Sequence, residues 1–313
     1  MYKTILGAAL SATMLFGAIG VASASEAETC KQVRIAAGEW PDIQITQSMM
    51  ALILNSLGYD ANVTTLSIPV VFTSLKSKDI DVWMGNWMPS QTAELQPYLD
   101  DKSVEVVGTN LTGAKSGLAV PTYVADAGVK TLADLAANKD KFNGKIFGFE
   151  AGNDVNRHMM ELIADPKNKL DGWEVVESSE AGMVTEAEKA IKHKEWIAFL
   201  PYSPHVAMGK MDLYYIPDVP DPSFGEATVY TNVRAGYLSE CANVGTFFKN
   251  VQFSIPMLNE VMEYGETSKA TPVDTAKHWM KSHTSEVQAW LKGVTTFDGK
   301  DAVDAFLGGL KAE

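Results

Sequence analysis

Three aromatic residues lie beside prolines in short, turn-like stretches of the sequence. Trp40 is in GEWPDI, Trp87 is in GNWMPS and Tyr202 is in PYSPH. Aromatic faces that converge in a cleft attract quaternary ammonium groups by cation–π interaction, and each desolvated face contributes roughly 1–2 kcal/mol. The alternative for each ring is ordinary packing over the core beside its proline. Whether the rings form one site depends on the elements that carry them.

Polar residues accompany the rings. Asp42 follows Trp40 by two positions, and the stretch FEAGND supplies Glu150, Asn153 and Asp154. Acids in the first turn of a helix offset the helix dipole, and Asn is a common N-cap. Caps at the carboxyl end of a strand can also contact a ligand, so both roles stay open. None of these stretches contains Lys or Arg, which favours a cation or a neutral dipole over a free carboxylate as ligand.

The elements that must position these residues alternate between strand and helix. A first set is predicted as strand 32–38, a helix from Pro41, strand 61–68, helix 69–77, strand 79–86 and helix 89–99. A second set is predicted as helix 131–138, strand 145–150, a helix from 153, strand 173–178, helix 181–193 and strand 196–200. This alternation predicts parallel sheets flanked by helices. Because ligands bind beyond the carboxyl ends of such strands, Trp40, Trp87 and Tyr202 are expected at the ligand-binding edge.

Two extended, proline-containing segments divide the chain into two α/β lobes. They lie at 112–124 and 211–225, and a strand at 227–238 and helices at 253–266 and 270–293 follow. We therefore predict a first lobe from residues 25–115 and 217–313 and a second lobe from residues 116–216. Two crossovers between lobes predict a hinge, with the ligand in the interlobe cleft.

The N-terminus has the features of an export signal. Lys3 precedes a mostly apolar run at 5–21, and Ala22-Ser23-Ala24 matches a small-residue cleavage site. A membrane anchor is the alternative. Cleavage after Ala24 predicts a periplasmic protein and changes the formal net charge from −13 to −14, because only Lys3 is removed. A negative charge of this size argues against nucleic acid or an anionic membrane as a partner.

Two cysteines remain after this cleavage, Cys30 and Cys241. In an exported protein they are expected to form a disulfide, and two buried free thiols are the alternative. A disulfide would bring the end of the chain back to its first lobe. Cys30 is not preceded by the aliphatic and small residues expected before a lipid-modified cysteine, which favours a soluble protein.

Evidence for an enzyme is weak in this sequence. The five histidines show no metal-ligand spacing, no serine lies in a nucleophile elbow, and no glycine-rich loop could hold a phosphate. His205 is expected to orient Tyr202 rather than to act in catalysis. No cofactor is expected. Asp218 and Asp221 are candidate Ca²⁺ ligands, although aspartates of this kind more often form turns.

Taken together, WPD, GNW, GND, PYSPH and the two cysteines resemble the periplasmic binding proteins of glycine betaine/choline-type ABC importers. The resemblance covers essentially all of the mature chain. It implies a two-lobed periplasmic-binding-protein fold of type II, no enzymatic activity, and a monomer that works with an ABC permease and its ATPase. It also implies an aromatic box of Trp40, Trp87 and Tyr202, with Asp42 and Asn153 holding a ligand hydroxyl.

The sequence departs from the pattern of choline binders at two positions. Tyr202 stands where a choline binder typically has Trp, and Ser116 stands where it has Tyr. Trimethylamine N-oxide, whose oxygen can accept a hydrogen bond from a protonated carboxyl such as Glu150, is therefore as good a candidate as choline. Glycine betaine is the third candidate. The same fold could also report to a membrane sensor instead of a permease.

Overall fold

The structure is a computed structural model that describes residues 26–312. The predicted signal peptide, residues 1–24, lies outside the described residues. Over residues 26–312, no helix combines the length and the apolar character needed to cross a membrane.

The described residues form a mixed α/β fold with two sheets. The strands are β1 (Gln32–Ala37), β2 (Asp60–Thr65), β3 (Val82–Met88), β4 (Val104–Ser116), β5 (Ala119–Pro121), β6 (Lys145–Phe147), β7 (Glu174–Val176), β8 (Ala198–Phe199), β9 (Tyr202–Ser203), β10 (Leu213–Tyr215) and β11 (Glu226–Arg234). The helices are α1 (Pro41–Ser56), α2 (Ile68–Ser77), α3 (Thr92–Asp100), α4 (Thr122–Asp126), α5 (Leu132–Ala137), α6 (Asp154–Ala164), α7 (Glu180–His193), α8 (Val206–Lys210), α9 (Tyr237–Glu240), α10 (Ala242–Asn250), α11 (Ile255–Ser268), α12 (Pro272–Ser282), α13 (Thr284–Trp290) and α14 (Ala302–Ala312).

The larger sheet has the strand order β2-β1-β3-β11-β4-β9. Strand β1 pairs in parallel with β2 and β3, as the alternation of strands and helices predicts. Strand β11 returns antiparallel between β3 and β4, so the last third of the chain completes the first lobe. Helix α1 packs between β1 and the C-terminal helices α11 and α12. Its N-terminus, which follows β1, is thereby fixed at the edge of this sheet.

The smaller sheet has the strand order β10-β5-β8-β6-β7. Strand β6 is parallel to β7 and β8, while β5 pairs antiparallel with β8 and β10. Helices α6 and α7 connect β6, β7 and β8 in sequence. This sheet and its helices form the predicted second lobe. The exact lobe boundaries at 115/116 and 216/217 stay a prediction.

Besides the two predicted crossovers, the chain crosses to the larger sheet after β8 and returns to the smaller sheet after β9. Strand β9 follows β8 of the smaller sheet, yet it pairs with the end of β4 in the larger sheet, with Ser116 opposite Tyr202 and Lys115 opposite Ser203. The two-residue strand satisfies backbone groups at the free edge of β4, which explains its position. Tyr202, expected in the second lobe, is therefore a residue of the larger sheet.

Several predicted boundaries shift by a few residues, and two of these differences have a clear cause in the structure. The helix predicted at 270–293 is two helices, α12 and α13, because His283 between them has a non-helical backbone (φ −121°, ψ 43°) and its ring stacks on Trp279. Trp87 lies inside β3 rather than after it, since pairing with β11 extends this strand to Met88.

A buried ionic cluster holds the central strands of the larger sheet. Asp81 accepts hydrogen bonds from Arg34 of β1 (2.9 and 2.8 Å) and from Arg234 of β11 (2.7 Å). Burial alone would raise the pKa of the Asp81 carboxyl, but the hydrogen bonds from the two guanidinium groups outweigh burial and keep this pKa below its ordinary value. The cluster fixes the relative positions of β1 and β3, whose ends carry the two tryptophans.

The predicted disulfide is present. Cys30 and Cys241 are bonded, with 5.5 Å between their Cα atoms, and both are buried. The bond joins the start of β1 to the loop after α9, and it closes a loop of 211 residues. A crosslink across so long a loop removes much of the conformational freedom of the unfolded chain.

We expect the double variant Cys30→Ala/Cys241→Ala to lower the free energy of unfolding by about 2–5 kcal/mol, because its unfolded chain is no longer crosslinked. Chemical denaturation of the variant and of the parent protein measures this difference. A reductant should lower the stability of the parent but not of the variant. Equal stability of the two proteins would contradict a structural role for the bond.

Candidate ligand-binding site

A cavity lies between the two lobes. The larger lobe contributes the ends of β1, β3 and β4 together with β9, and the smaller lobe contributes the turn between β6 and α6. The cavity is lined by Trp40, Asp42, Trp87, Ser90, Gln91, Ser116, Phe149, Asn153, Asp154, Val155 and Tyr202. None of these lining residues is Lys or Arg.

Four aromatic rings line the cavity. Trp87 and Tyr202 meet edge to face with ring centroids 5.8 Å apart, and Phe149 lies 6.0 Å from Tyr202. The Trp40 ring packs against Trp83 of the core, 6.4 Å between centroids. Trp40, Trp87 and Tyr202 were predicted to share a site, and the structure brings them together. Phe149 completes an enclosure with ring faces and edges from both lobes.

The glycine of GEWPDI makes room for its tryptophan. Trp40 is the N-cap residue of α1, directly before Pro41 at the first helical position. A Cβ atom on Gly38 would lie 2.9 Å from the Trp40 ring, closer than such atoms approach. A residue larger than glycine would therefore displace the ring. Because proline favours the first helical position, α1 begins at Pro41. Trp40 therefore lies just before the helix, at the cavity.

The glycine of GNWMPS has a different role. A Cβ atom on Gly85 would lie 2.5 Å from the Trp83 ring, so this glycine accommodates the core tryptophan and not Trp87. Trp87 is held through its backbone, since its carbonyl accepts hydrogen bonds from the Gln91 amide (2.9 Å) and the Ser90 hydroxyl (3.2 Å). The Met88–Pro89 peptide bond after Trp87 and the Ser203–Pro204 bond after Tyr202 are both cis.

Two buried aspartates face the cavity from the first turns of helices. Asp42 lies in α1, and burial, reinforced by the charge of Glu180, raises the pKa of its carboxyl to about 7. Asp154 begins α6, and burial raises the pKa of its carboxyl to about 6 against a hydrogen bond from Ser90. Both residues occupy the dipole-stabilised positions expected from the sequence. Neither has a basic partner in the cavity, so both carboxyls resist ionisation there.

Asn153 serves as a helix cap and also lines the cavity. Its Oδ1 accepts a hydrogen bond from the amide of Val155 (3.0 Å), which caps α6, and its Nδ2 donates to Glu150 Oε1 (3.1 Å). Glu150 does not line the cavity. Its side chain turns toward Asn153 because a hydrogen-bond donor is available there. The protonated carboxyl expected from Glu150 is therefore better supplied by Asp42.

Ser116 lines the cavity, but its hydroxyl is engaged elsewhere. It donates a hydrogen bond of 2.7 Å to the carbonyl of Ser223. Phe149 was missed by the sequence analysis, although it follows β6 by two positions as the first residue of FEAGND. The predicted strand at 145–150 included Phe149, so the strand-end criterion did not select it, whereas the observed strand ends at Phe147. Position 116, where the pattern of choline binders has Tyr, therefore contributes no ring to the cavity. Phe149 contributes an additional ring.

Tyr202 is held by buried polar groups behind the cavity. Its hydroxyl donates to Glu180 Oε2 (2.9 Å) and lies 3.4 Å from Asp42 Oδ1. His205 contacts Glu180 Oε1 through Nε2 (2.7 Å), and its ring packs edge-on to Tyr202. Burial keeps the pKa of the Tyr202 hydroxyl well above its ordinary value. His205 therefore orients Tyr202, as expected, and does so through Glu180, which the sequence analysis did not identify.

A salt bridge joins the two lobes at the rim of the cleft. Arg157 of α6 binds Glu94 of α3 with two hydrogen bonds, of 2.8 and 3.1 Å, and also reaches the Ser90 carbonyl (3.3 Å). His158 contacts the same carbonyl (2.9 Å) and Asp221 Oδ2 (2.8 Å). These contacts join the two lobes directly.

The aspartates considered as Ca²⁺ ligands are engaged by protein donors. Asp218 Oδ1 accepts from the amide of Leu132 (2.8 Å), and Asp221 accepts from the amide of Ser223 (2.8 Å) and contacts His158. Over residues 26–312, no group of three or more His, Cys, Asp or Glu side chains is arranged to hold a metal ion. Both aspartates thus act as turn and linker residues.

The fold and the cavity define a type II binding protein with an aromatic, acid-lined site between its lobes. Over residues 31–282 the chain matches the substrate-binding domain of the ABC-type glycine betaine transport system, and it belongs to that family. The predicted family, the type II fold and the role as a substrate-binding protein are therefore confirmed.

Similar proteins include two solved structures of choline binding proteins and a curated relative. An ABC-transporter choline binding protein in complex with choline is 44% identical, with 91% of this chain and 100% of that chain covered and a TM-score of 0.88. An ABC-transporter choline binding protein in an unliganded semi-closed conformation is also 44% identical, with 90% of this chain and 99% of that chain covered and a TM-score of 0.83. The glycine betaine/carnitine transport binding protein GbuC of Listeria monocytogenes is 29% identical over 188 residues, 59% of this chain and 62% of the relative.

We expect Glu94→Gln to weaken ligand binding about threefold to thirtyfold, because closure loses a bidentate, partly buried ion pair between the lobes. Calorimetry on Glu94→Gln, Arg157→Gln and the double variant gives the coupling between the two residues. Glu161→Gln is the matched control, since Glu161 also binds Arg157 (3.0 Å) but lies on the same helix. Equal loss of affinity in the control would show that the interlobe pair has no special role in closure.

Proposed function

We propose that this protein binds a small trimethylammonium compound in the periplasm and delivers it to an ABC permease and its ATPase. One observation carries the proposal: aromatic rings and buried acids line the cavity between the lobes, without a Lys or Arg among the lining residues. Ring faces attract a cation that has no hydrogen-bond donors of its own, and the acids complement its charge. The family and the choline-bound relative support the same ligand class.

The ligand-binding residues of the proposal are Trp40, Asp42, Trp87, Asn153 and Tyr202, with Phe149 added. Glu150 supports Asn153 from outside the cavity. Choline and trimethylamine N-oxide are the first candidates and glycine betaine is the third. The methyl groups would lie among the rings, and Asp42 and Asn153 would bind the oxygen of the ligand. This arrangement needs no catalytic group, and we propose a binding protein and not an enzyme.

The proposed cellular setting follows from the sequence and the family. The chain is exported with cleavage after Ala24, works as a soluble monomer, and hands its ligand to the permease. Reporting to a membrane sensor is the alternative, and it would use the same cavity. Transport assays in cells with and without the cognate permease distinguish import from signalling.

Isothermal calorimetry with choline, trimethylamine N-oxide, glycine betaine and carnitine tests the ligand class. We expect at least one of the first three to bind far more tightly than millimolar, because several desolvated ring faces act together. Binding weaker than about millimolar for all four compounds would overturn the proposed function.

We expect Trp40→Ala and Trp87→Ala each to weaken binding by about 2 kcal/mol or more, the upper range for a desolvated cation–π contact. Trp173→Ala is the control, because Trp173 packs against Phe142 of the smaller lobe and does not line the cavity. The control should lose about 3–5 kcal/mol of stability and keep its affinity where folded. Tryptophan variants of the cavity that melt early yet bind normally would contradict the aromatic site.

A further inference from the structure

Behind the cavity, buried side chains form a chain of hydrogen bonds with a defined direction. The amide of Met208 donates to His205 Nδ1 (3.2 Å), which makes this nitrogen an acceptor. The ring proton of a neutral imidazole must then lie on Nε2. Nε2 donates it to Glu180 Oε1 at 2.7 Å. His205 is thus fixed as a neutral donor to Glu180.

The second oxygen of Glu180 accepts a hydrogen bond from the Tyr202 hydroxyl. The phenol oxygen lies 2.9 Å from Glu180 Oε2 and 3.4 Å from Asp42 Oδ1. A phenol has one proton, and the shorter contact is the better hydrogen bond. Glu180 is therefore a carboxylate with two donors, whereas Asp42 faces the lone pairs of the Tyr202 oxygen and receives no proton from it.

Asp42 is left as the carboxyl that must hold its own proton. It is buried, and the negative charge of Glu180 acts on it from the same side. The backbone amides of Asp42 and Ile43 at the start of α1 favour the charged form less strongly, so burial and the charge of Glu180 raise the pKa of the Asp42 carboxyl to about 7. Asp154 is the other carboxyl group of the cavity lining, and Tyr202 is its third titratable group.

We propose that Glu180 determines the specificity of the site. It accepts the hydrogen bond of Tyr202 and carries the negative charge, so Asp42 keeps its proton and is a hydrogen-bond donor to the ligand. The site then selects a trimethylammonium compound with an anionic acceptor oxygen, an amine N-oxide first, over one with a hydroxyl. The inference rests on the proposed function. A carboxyl O–H bound to an anionic oxygen is a charge-assisted hydrogen bond, roughly twice as strong as a neutral one. A hydroxyl gains less from the same donor and binds better to a charged Asp42, to which it can donate.

Replacing Glu180 with Gln would reverse the direction of the hydrogen bond between residue 180 and Tyr202. The carbonyl of Gln would accept from His205, so its NH₂ group would face Tyr202 and donate to the phenol oxygen. The Tyr202 proton would then point to Asp42, which would become a carboxylate with a donor. Because Glu and Gln have nearly the same shape, the change acts on charge and proton position.

Calorimetry between about pH 5.5 and 8.5 with trimethylamine N-oxide, choline and tetramethylammonium tests the proposal. Below the Asp42 pKa of about 7 the carboxyl is neutral and donates, and above it the carboxyl is charged. The affinity ratio of N-oxide to choline should therefore fall about tenfold or more as the pH rises. Tetramethylammonium, which has no oxygen, should bind more tightly over the same range because it gains a negative neighbour.

Two variants complete the test. Glu180→Gln should lower the ratio of N-oxide to choline affinity about tenfold at pH 6 and remove most of its pH dependence. Glu188→Gln makes the same charge change at an exposed position of α7 and should leave the ratio and its pH profile unaltered.

The outcomes separate this inference from the proposed function. A ratio that depends neither on pH nor on Glu180→Gln, with all three compounds bound, would overturn the role of Glu180 and leave the binding function standing. Failure of these three compounds and of glycine betaine and carnitine to bind would overturn both. If Glu180→Gln does not fold, the pH profile of the parent protein still decides, since it needs no substitution.

Discussion

Buried negative charge without a basic partner is the constraint on which the site depends. Asp42 and Asp154 are buried in the cavity lining, which contains neither Lys nor Arg. An unpaired buried carboxylate is costly, so the protein either keeps a proton on the group or admits a cation beside it. The raised pKa values of Asp42 and Asp154 correspond to the first of these, a retained proton. A bound trimethylammonium group would provide the second.

The surrounding structure keeps basic groups away from these acids. Arg157 lies one turn after Asp154 on α6, but its guanidinium is engaged by Glu94, Glu161 and the Ser90 carbonyl. The same contacts that close the cleft therefore also remove the nearest guanidinium from the cavity. The rings complete the arrangement, because they stabilise a cation whose methyl groups cannot donate conventional hydrogen bonds.

Much of the fold and part of the site could be predicted from the sequence, because both follow local rules. The alternation of strand and helix predicts the parallel strands, and the positions of Trp40, Trp87 and Asp42 follow from strand ends and helix starts. Tertiary contacts decided the rest. Glu180 follows the cap residue Ser179 and has the sequence context of an ordinary first-turn acid, and only the approach of β9 brings Tyr202 to it.

Two other features could not be predicted from the sequence, each for a different physical reason. Strand β9 has two residues, too few for a periodic pattern, so its pairing with β4 has no signature in the sequence. The direction of the Glu150 side chain depends on the Asn153 amide that it meets in the folded turn. Sequence patterns specify which face of an element a residue occupies, but in an irregular turn no such face exists.

The pairing of β9 with β4 assigns three of the four rings to one body. Trp40, Trp87 and Tyr202 are carried by the larger sheet or by the helix that follows its first strand, and Phe149 comes from the other lobe. If the lobes open as the crossovers predict, the larger lobe alone presents most of the proposed aromatic contacts to an incoming ligand. Capture and retention would then depend on different parts of the chain. We expect the association rate to depend on the three-ring surface, and the dissociation rate on how often the lobe with Phe149 and Arg157 moves away.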